Sequence, residues 1–166
     1  MSRGRDGAGP VTQATLALDR AGVAYLRHAY EHDPSAGSFG LEAARLLGLA
    51  PERVFKTLLV DTGAGLAVGI VPVDGRLDLK AVAGALGVKS VTMAQPAVAE
   101  RSTGYVVGGI SPVGQKRRLP TALDESAERF PTIFVSGGRR GFDVELAPGD
   151  LVRVTGAVTA SIGRTR

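Results

Sequence analysis

The chain has 166 residues, 44% of them hydrophobic and 22% charged, a balance that suits one domain with a real core. It contains no cysteine and only two histidines, His28 and His32. Disulfides, iron–sulfur ligation, a thiolate nucleophile, cysteine zinc sites and multi-histidine metal clusters are therefore excluded. A net charge of +4 favours an anionic partner, while 5% aromatic content and the absence of tryptophan argue against stacking many single-stranded bases. No apolar run approaches the roughly 18 residues of a membrane-spanning helix. Residues 1–10 lack the apolar core of a secretory signal, so a cytoplasmic location is expected.

Residues 1–10 are rich in Gly and Arg without periodicity and read as a mobile basic tail ahead of a single domain over 11–166. A helix is expected over 11–21, closed by Gly22, then a strand over 23–30 ended at His32-Asp33-Pro34. A second helix follows over 41–47, stopped by Gly48. The clearest strand covers 54–61, with Val54, Lys56, Leu58 and Val60 on one face. A turn at Thr62-Gly63-Ala64-Gly65 leads into a partner strand over 66–73. Asp78 caps a helix running to Leu86, a short strand covers 91–93, and Pro96 starts a helix to Arg101. A long glycine-rich loop then reaches a helical turn over 124–129. Strands are expected over 132–135 and 142–146, then a helix from Pro148 and a closing strand over 157–162. The whole reads as mixed α/β, with a strongly curved, barrel-like central sheet and helices packed outside.

Two loops carry most of the chemical signal. Gly108-Gly109-Ile110-Ser111-Pro112 and Ser136-Gly137-Gly138 each set paired glycines beside a hydroxyl, and cationic residues follow each: Lys116-Arg117-Arg118 and Arg139-Arg140. Without Cβ atoms, backbone N–H groups approach a ligand closely and form a concavity suited to phosphate or a developing oxyanion. Such runs also serve as plain turns between strands, with Ser111 bonded to nearby backbone. Neither loop has the Walker A spacing or the full dinucleotide fingerprint. The basic runs are either solvated surface or phosphate contacts. Lys56 places an ammonium on an apolar strand face. It either snorkels to water or, if the face lines a pocket, holds a phosphate or polarises a carbonyl. Ser111 and Ser136 lack an activating base and a nucleophile-elbow pattern, so a hydrolase here relies on positioning, backbone donors and groups of the substrate.

Four segments in order resemble the YbaK/EbsC family, free-standing relatives of the editing domain of bacterial prolyl-tRNA synthetases. They are Tyr30-Glu31-His32-Asp33-Pro34, Phe55-Lys56-Thr57-Leu58-Leu59, Ser102 through Lys116, and Val135 through Gly141, and the likeness runs over residues 12–162. The resemblance implies trans-editing, the hydrolysis of misacylated Cys-tRNA(Pro), with no metal or cofactor. Its partners are the acceptor end of an aminoacyl-tRNA and prolyl-tRNA synthetase. Cysteine and proline are close in size, so one pocket separates them poorly and a second hydrolytic sieve is the remedy. Carried over by position, Lys56 matches the family's critical lysine and Tyr30 its N-terminal tyrosine. Gly108, Gly109 and Ser111 match the loop that holds the carbonyl and terminal adenosine, and Ser136, Gly137 and Gly138 match the second loop. The family's mechanism has the substrate thiol attack its own ester. Lys56 is then expected to anchor the terminal phosphate or ribose, the Gly108-Gly109 N–H groups to hold the oxyanion, and Tyr30 to shape the pocket. The alternatives are a deacylase for another mischarged tRNA, such as Ala-tRNA(Pro), and a non-catalytic tRNA- or synthetase-binding module.

Overall fold

Local capping chemistry sets the helix boundaries in the computed structural model, which describes residues 9–165. Thr12 opens α1 (Gln13–Ala21) through a reciprocal capping box with Thr15, Ser38 caps α2 (Phe39–Leu47), and Asp78 caps α3 (Leu79–Leu86). Both α1 and α2 stop at a left-handed glycine, Gly22 (φ 70°) and Gly48 (φ 69°), where a side chain would be strained. Proline at the first turn starts α4 (Pro96–Thr103) and α5 (Pro148–Thr155). Residues 1–8 of the expected basic tail lie outside the described residues. At its end, the carbonyls of Gly9 and Pro10 accept hydrogen bonds from the Arg27 guanidinium.

The strands are β1 (Leu26–Ala29), β2 (Phe55–Asp61), β3 (Leu66–Pro72), β4 (Gly75–Leu77), β5 (Thr92–Met93), β6 (Thr121–Asp124), β7 (Ile133–Arg139), β8 (Phe142–Leu146), β9 (Val158–Ala160) and β10 (Gly163–Thr165). The mixed α/β class holds, but the barrel-like central sheet does not. The strands divide into a five-stranded sheet of order β5-β2-β3-β6-β9, a three-stranded sheet β1-β8-β7 and a β10-β4 pair, and no sheet closes or curls strongly. Among the described residues, the larger sheets meet at a parallel bridge between Val54 and Phe134. Beyond it β7 shifts register between Ser136 and Arg139, so Gly137 and Gly138 form a bulge with no partners on β8. A continuous ladder around a barrel is thereby interrupted.

Side-chain alternation along β2 distributes the core. Phe55 and Leu59 join Leu18, Ile70, Leu123, Val135, Val144 and Leu151 in the main cluster between the sheets. Val60 joins Val71, Val82, Ala122 and Ile162 beneath α3, and Val54 packs with Phe134, Ala43 and Ala44 beneath α2. Burying side chains of this size stabilises the fold by about 1.5–3 kcal/mol each.

A candidate active site where two sheets part

Past the Val54–Phe134 bridge, β2 and β7 part. The β5 strand rejoins β2 only at Val60 and Asp61, so over Lys56, Thr57 and Leu58 no strand pairs with that edge of β2 among the described residues. A cavity of about 470 Å³ opens in the gap. Its floor is β2, from Lys56 to Leu59. Its walls are Tyr30, the start of α2 at Phe39, the start of α4 at Pro96 and Ala99, the loop at Val107, Gly108 and Ile110, and Ser136 and Asp143 of the β7–β8 pair. This volume falls in the range of clefts that take small ligands.

Of the eight residues singled out in the sequence, Tyr30, Lys56, Gly108 and Ser136 meet in this cavity, from positions far apart in the chain. The other four stand behind it. Ser111 is fully buried, its hydroxyl accepting from Val113 N–H (3.2 Å) and its carbonyl from the Gln115 side chain (2.9 Å), which shapes the loop. Gly109 packs against the hairpin of β7 and β8: a Cβ there would lie 2.8 Å from Arg140 N. Gly137 lies under the Phe142 ring and Gly138 against Tyr105 and Thr12, at 2.5 Å and 2.9 Å from the nearest ring atoms for an added Cβ. The Thr12 hydroxyl donates to Gly137 O (2.6 Å), tying the bulge to the start of α1.

The glycine loop is held at Val107. Its N–H donates to the Glu100 carboxylate (2.8 Å), and its carbonyl accepts from Arg140 Nε (2.8 Å). The Gly109 N–H closes a turn on Val106 O (2.8 Å), whereas the N–H groups of Gly108 and Ile110 make no hydrogen bond among the described residues. Two cavity-lining residues thus keep backbone donors that a ligand oxygen can take, the kind of group that stabilises an oxyanion. Gly108 adopts φ 89°, and an added Cβ would meet both Arg140 and the Phe39 ring at 2.9 Å, so only glycine fits.

On the opposite wall, the segment carrying Tyr30 is fixed by Glu42, a carboxylate only 3% exposed. One oxygen meets His32 Nδ1 (2.8 Å) and the other accepts from Asp33 N–H (2.7 Å). Burial acts to raise the Glu42 carboxyl, but the Asp33 N–H and His32 outweigh it and hold the group below its ordinary value. Burial, with the Asp143 charge adding to it, pushes the Tyr30 hydroxyl well up, so it stays protonated at neutral pH and acts as a hydrogen-bond donor.

Asp143 and Thr57 are the residues that sequence reasoning missed. Asp143 lines the cavity at 5% exposure, and burial pushes its carboxyl up to about 8. Its apolar neighbours along β8, Phe142 and Val144, are part of the core, and that pattern disguises the acid as one polar position in a hydrophobic strand. Thr57, on the cavity floor, has a buried hydroxyl with no hydrogen-bond partner among the described residues. An alternating strand gives no signal that such a hydroxyl faces a ligand rather than packing. No group of metal-ligating side chains occurs among the described residues, and no helix there is long and apolar enough to cross a membrane.

Residues 34–154 match the family model of the aminoacyl-tRNA editing domain. Over 120 residues, 72% of this chain and 73% of the relative, the sequence is 42% identical to the "Putative Cys-tRNA(Pro)/Cys-tRNA(Cys) deacylase EbsC" of Enterococcus faecalis. A crystal structure of "a putative trans-editing enzyme for prolyl tRNA synthetase" superposes with TM-score 0.81 at 26% identity, over 94% of this chain and 99% of that one. The hypothetical protein APE2540 superposes with TM-score 0.82 at 27% identity, over 92% of this chain and all of that one. The matched segment carries the Lys56 strand, the glycine loop and the β7–β8 pair, all but Tyr30 of the cavity residues discussed, and by that match the chain belongs to the aminoacyl-tRNA editing domain family.

Proposed function

We propose that the protein is a trans-editing deacylase that hydrolyses the ester of Cys-tRNA(Pro). The observation that carries this reading is the composition of the cavity. It has one lysine, one buried acid, a tyrosine and unengaged backbone donors, with neither cysteine nor histidine among the lining residues. Such a site orients an ester and stabilises an oxyanion, and it leaves the nucleophile to the substrate. The name of the Enterococcus relative supports cysteine as the amino acid, and that of the structural neighbour supports prolyl-tRNA synthetase as the associated enzyme.

In this mechanism the cysteine sulfur attacks its own ester carbonyl. A carbon–sulfur bond forms and the oxyanion rests on Gly108 N–H and Ile110 N–H. The ester carbon–oxygen bond then breaks, and the ribose oxygen takes the proton released by the thiol. Water opens the resulting cyclic thioester to free cysteine. Lys56 stabilises negative charge at the reacting end, and Tyr30 bounds the space for the amino-acid side chain. Ser136 contributes a hydroxyl beside it.

Purified protein incubated in parallel with Cys-, Ser- and Ala-tRNA(Pro), with and without chelator, tests the reading. Rapid chelator-insensitive loss of cysteine with serine and alanine retained is expected, because only a thiol supports self-attack. Loss of alanine keeps the deacylase and overturns the thiol mechanism. Binding of tRNA without loss of any ester makes the protein a binding module.

A further inference from the structure

Among the basic residues outside the cavity, Arg140 stands apart. Its side chain is exposed, yet its guanidinium is held at two points. Nε donates to Val107 O (2.8 Å), and the guanidinium carbon lies 4.9 Å from the centre of the Phe39 ring. Val107, Gly108 and Phe39 all line the cavity, so Arg140 bridges two of its walls, the glycine loop and the start of α2. The terminal nitrogens of Arg140 make no hydrogen bond or ion pair among the described residues. A guanidinium oriented by its Nε and by a ring face, with its outer edge unengaged, is a preorganised fork for two oxygens of one anionic group, such as the non-bridging oxygens of a phosphodiester. Arg139, Lys116 and Arg117 are exposed without any comparable anchoring.

From this geometry we infer that Arg140 docks the last phosphodiester of the tRNA acceptor end. The inference rests on the deacylase reading for the identity of the ligand. In an aminoacylated terminal nucleoside, the ester and the 5′-phosphate lie on opposite sides of one ribose. With the ester inside the cavity near Lys56, the phosphate emerges at the mouth, where Arg140 is the cation already oriented. Lys56 then serves the ribose and ester rather than the phosphate. Because the same guanidinium grips Val107, phosphate capture also holds the oxyanion loop in its working position.

The test is a double-mutant cycle on binding, read without turnover. The probes are a CCA trinucleotide and its analogue with a neutral methylphosphonate at the last linkage; the proteins are wild type, Arg140→Ala and Arg140→Lys. Wild type is expected to bind the charged trinucleotide about tenfold tighter than the neutral one, the size of one charge-assisted contact. In R140A that preference disappears, and R140K retains only part of it because an ammonium lacks the fork. A preference that persists undiminished in R140A overturns the proposal, as does a wild type that binds both probes equally or neither. Failure of the wild type to hydrolyse any charged tRNA, with the cycle intact, overturns the proposed reaction and leaves the phosphate contact standing.

Discussion

Ser136 and Asp143 sit directly opposite each other across the β7–β8 ladder, and both line the cavity at the last paired position before the Gly137-Gly138 bulge. Their side chains therefore leave the same face of the sheet. The Ser136 hydroxyl accepts from Gly138 N–H (3.1 Å), which leaves its proton for a ligand or for the acid opposite. Asp143 has no hydrogen-bond donor to its carboxylate among the described residues, and burial alone pushes it up to about 8.

Stability should follow that perturbation. In the unfolded chain Asp143 ionises near the ordinary value of about 4, so between about 4 and about 8 the native state holds the extra proton. This contribution is complete below pH 4 and is lost as pH rises towards 8. Asp143→Asn cannot ionise and abolishes that slope. Relative to wild type, urea unfolding of D143N should show a gain at pH 8.5, on the order of 5 kcal/mol for a rise from about 4 to about 8, that vanishes by pH 4. A parallel pair of stability curves would sink the assignment.

Glu42 behaves in the opposite sense. Its folded value lies below the unfolded one, so its contribution is present above the unfolded value and is lost as pH falls through the folded value. Glu42→Ala leaves His32 and the Asp33 N–H without their partner and should cost about 1–3 kcal/mol at pH 7. The deficit should shrink below pH 4 in denaturant titrations. Deacylation should fall as well, because the segment bearing Tyr30 loses its anchor.

The two glycine pairs separate packing from placement. Gly137→Ala drives a methyl to 2.5 Å from the Phe142 ring, itself 1% exposed, and overpacking of this kind costs about 1–3 kcal/mol. Gly109→Ala meets main chain of the β7–β8 hairpin at 2.8 Å, which cannot swing aside as a side chain does. Thermal melts should register both, G109A at least as strongly as G137A, and G109A should in addition lower kcat for ester hydrolysis, because it displaces the loop that carries the Gly108 and Ile110 N–H groups.

Lys56 is the decisive substitution for the reaction. Lys56→Ala should lower kcat/KM on Cys-tRNA(Pro) by about 100-fold or more, the scale of removing one electrostatic stabiliser from an enclosed site. Retention of full activity by a folded K56A would remove the lysine from the mechanism.

Most helix boundaries were readable because capping is local. Asp78, Pro96 and Pro148 start helices for reasons contained within a few residues, and Gly22, Gly48 and Gly87 end them, whereas the second helix begins at Phe39 behind its Ser38 cap, two residues before the expected Leu41. The β2–β3 hairpin was readable from alternation and its turn. The division into separate sheets was not, since it depends on which strands pair at a distance. The same holds for β6, whose four buried residues show no alternation and accept parallel neighbours on both sides. Ser136-Gly137-Gly138 reads as a loop because glycines signal turns, whereas the chain uses them as a bulge inside β7. Lys56, Tyr30, Gly108 and Ser136 were legible through motifs. Asp143, Thr57 and Glu42 were not, because each is one polar residue whose importance lies in what folds over it.

The break between β2 and β7 has a consequence for the protein's behaviour in a crowded solution. Around Thr57 and Leu58, β2 pairs with β3 on one side while no strand pairs with its other edge among the described residues, the kind of edge that recruits another chain into a growing sheet. Here that edge is recessed at the bottom of a cavity, roofed by α2, α4 and the glycine loop. A short flexible nucleotide end can enter, but a second rigid strand cannot lie alongside. The walls of the proposed site therefore also act as a guard against self-association, so variants that open the glycine loop should aggregate as well as lose the proposed activity.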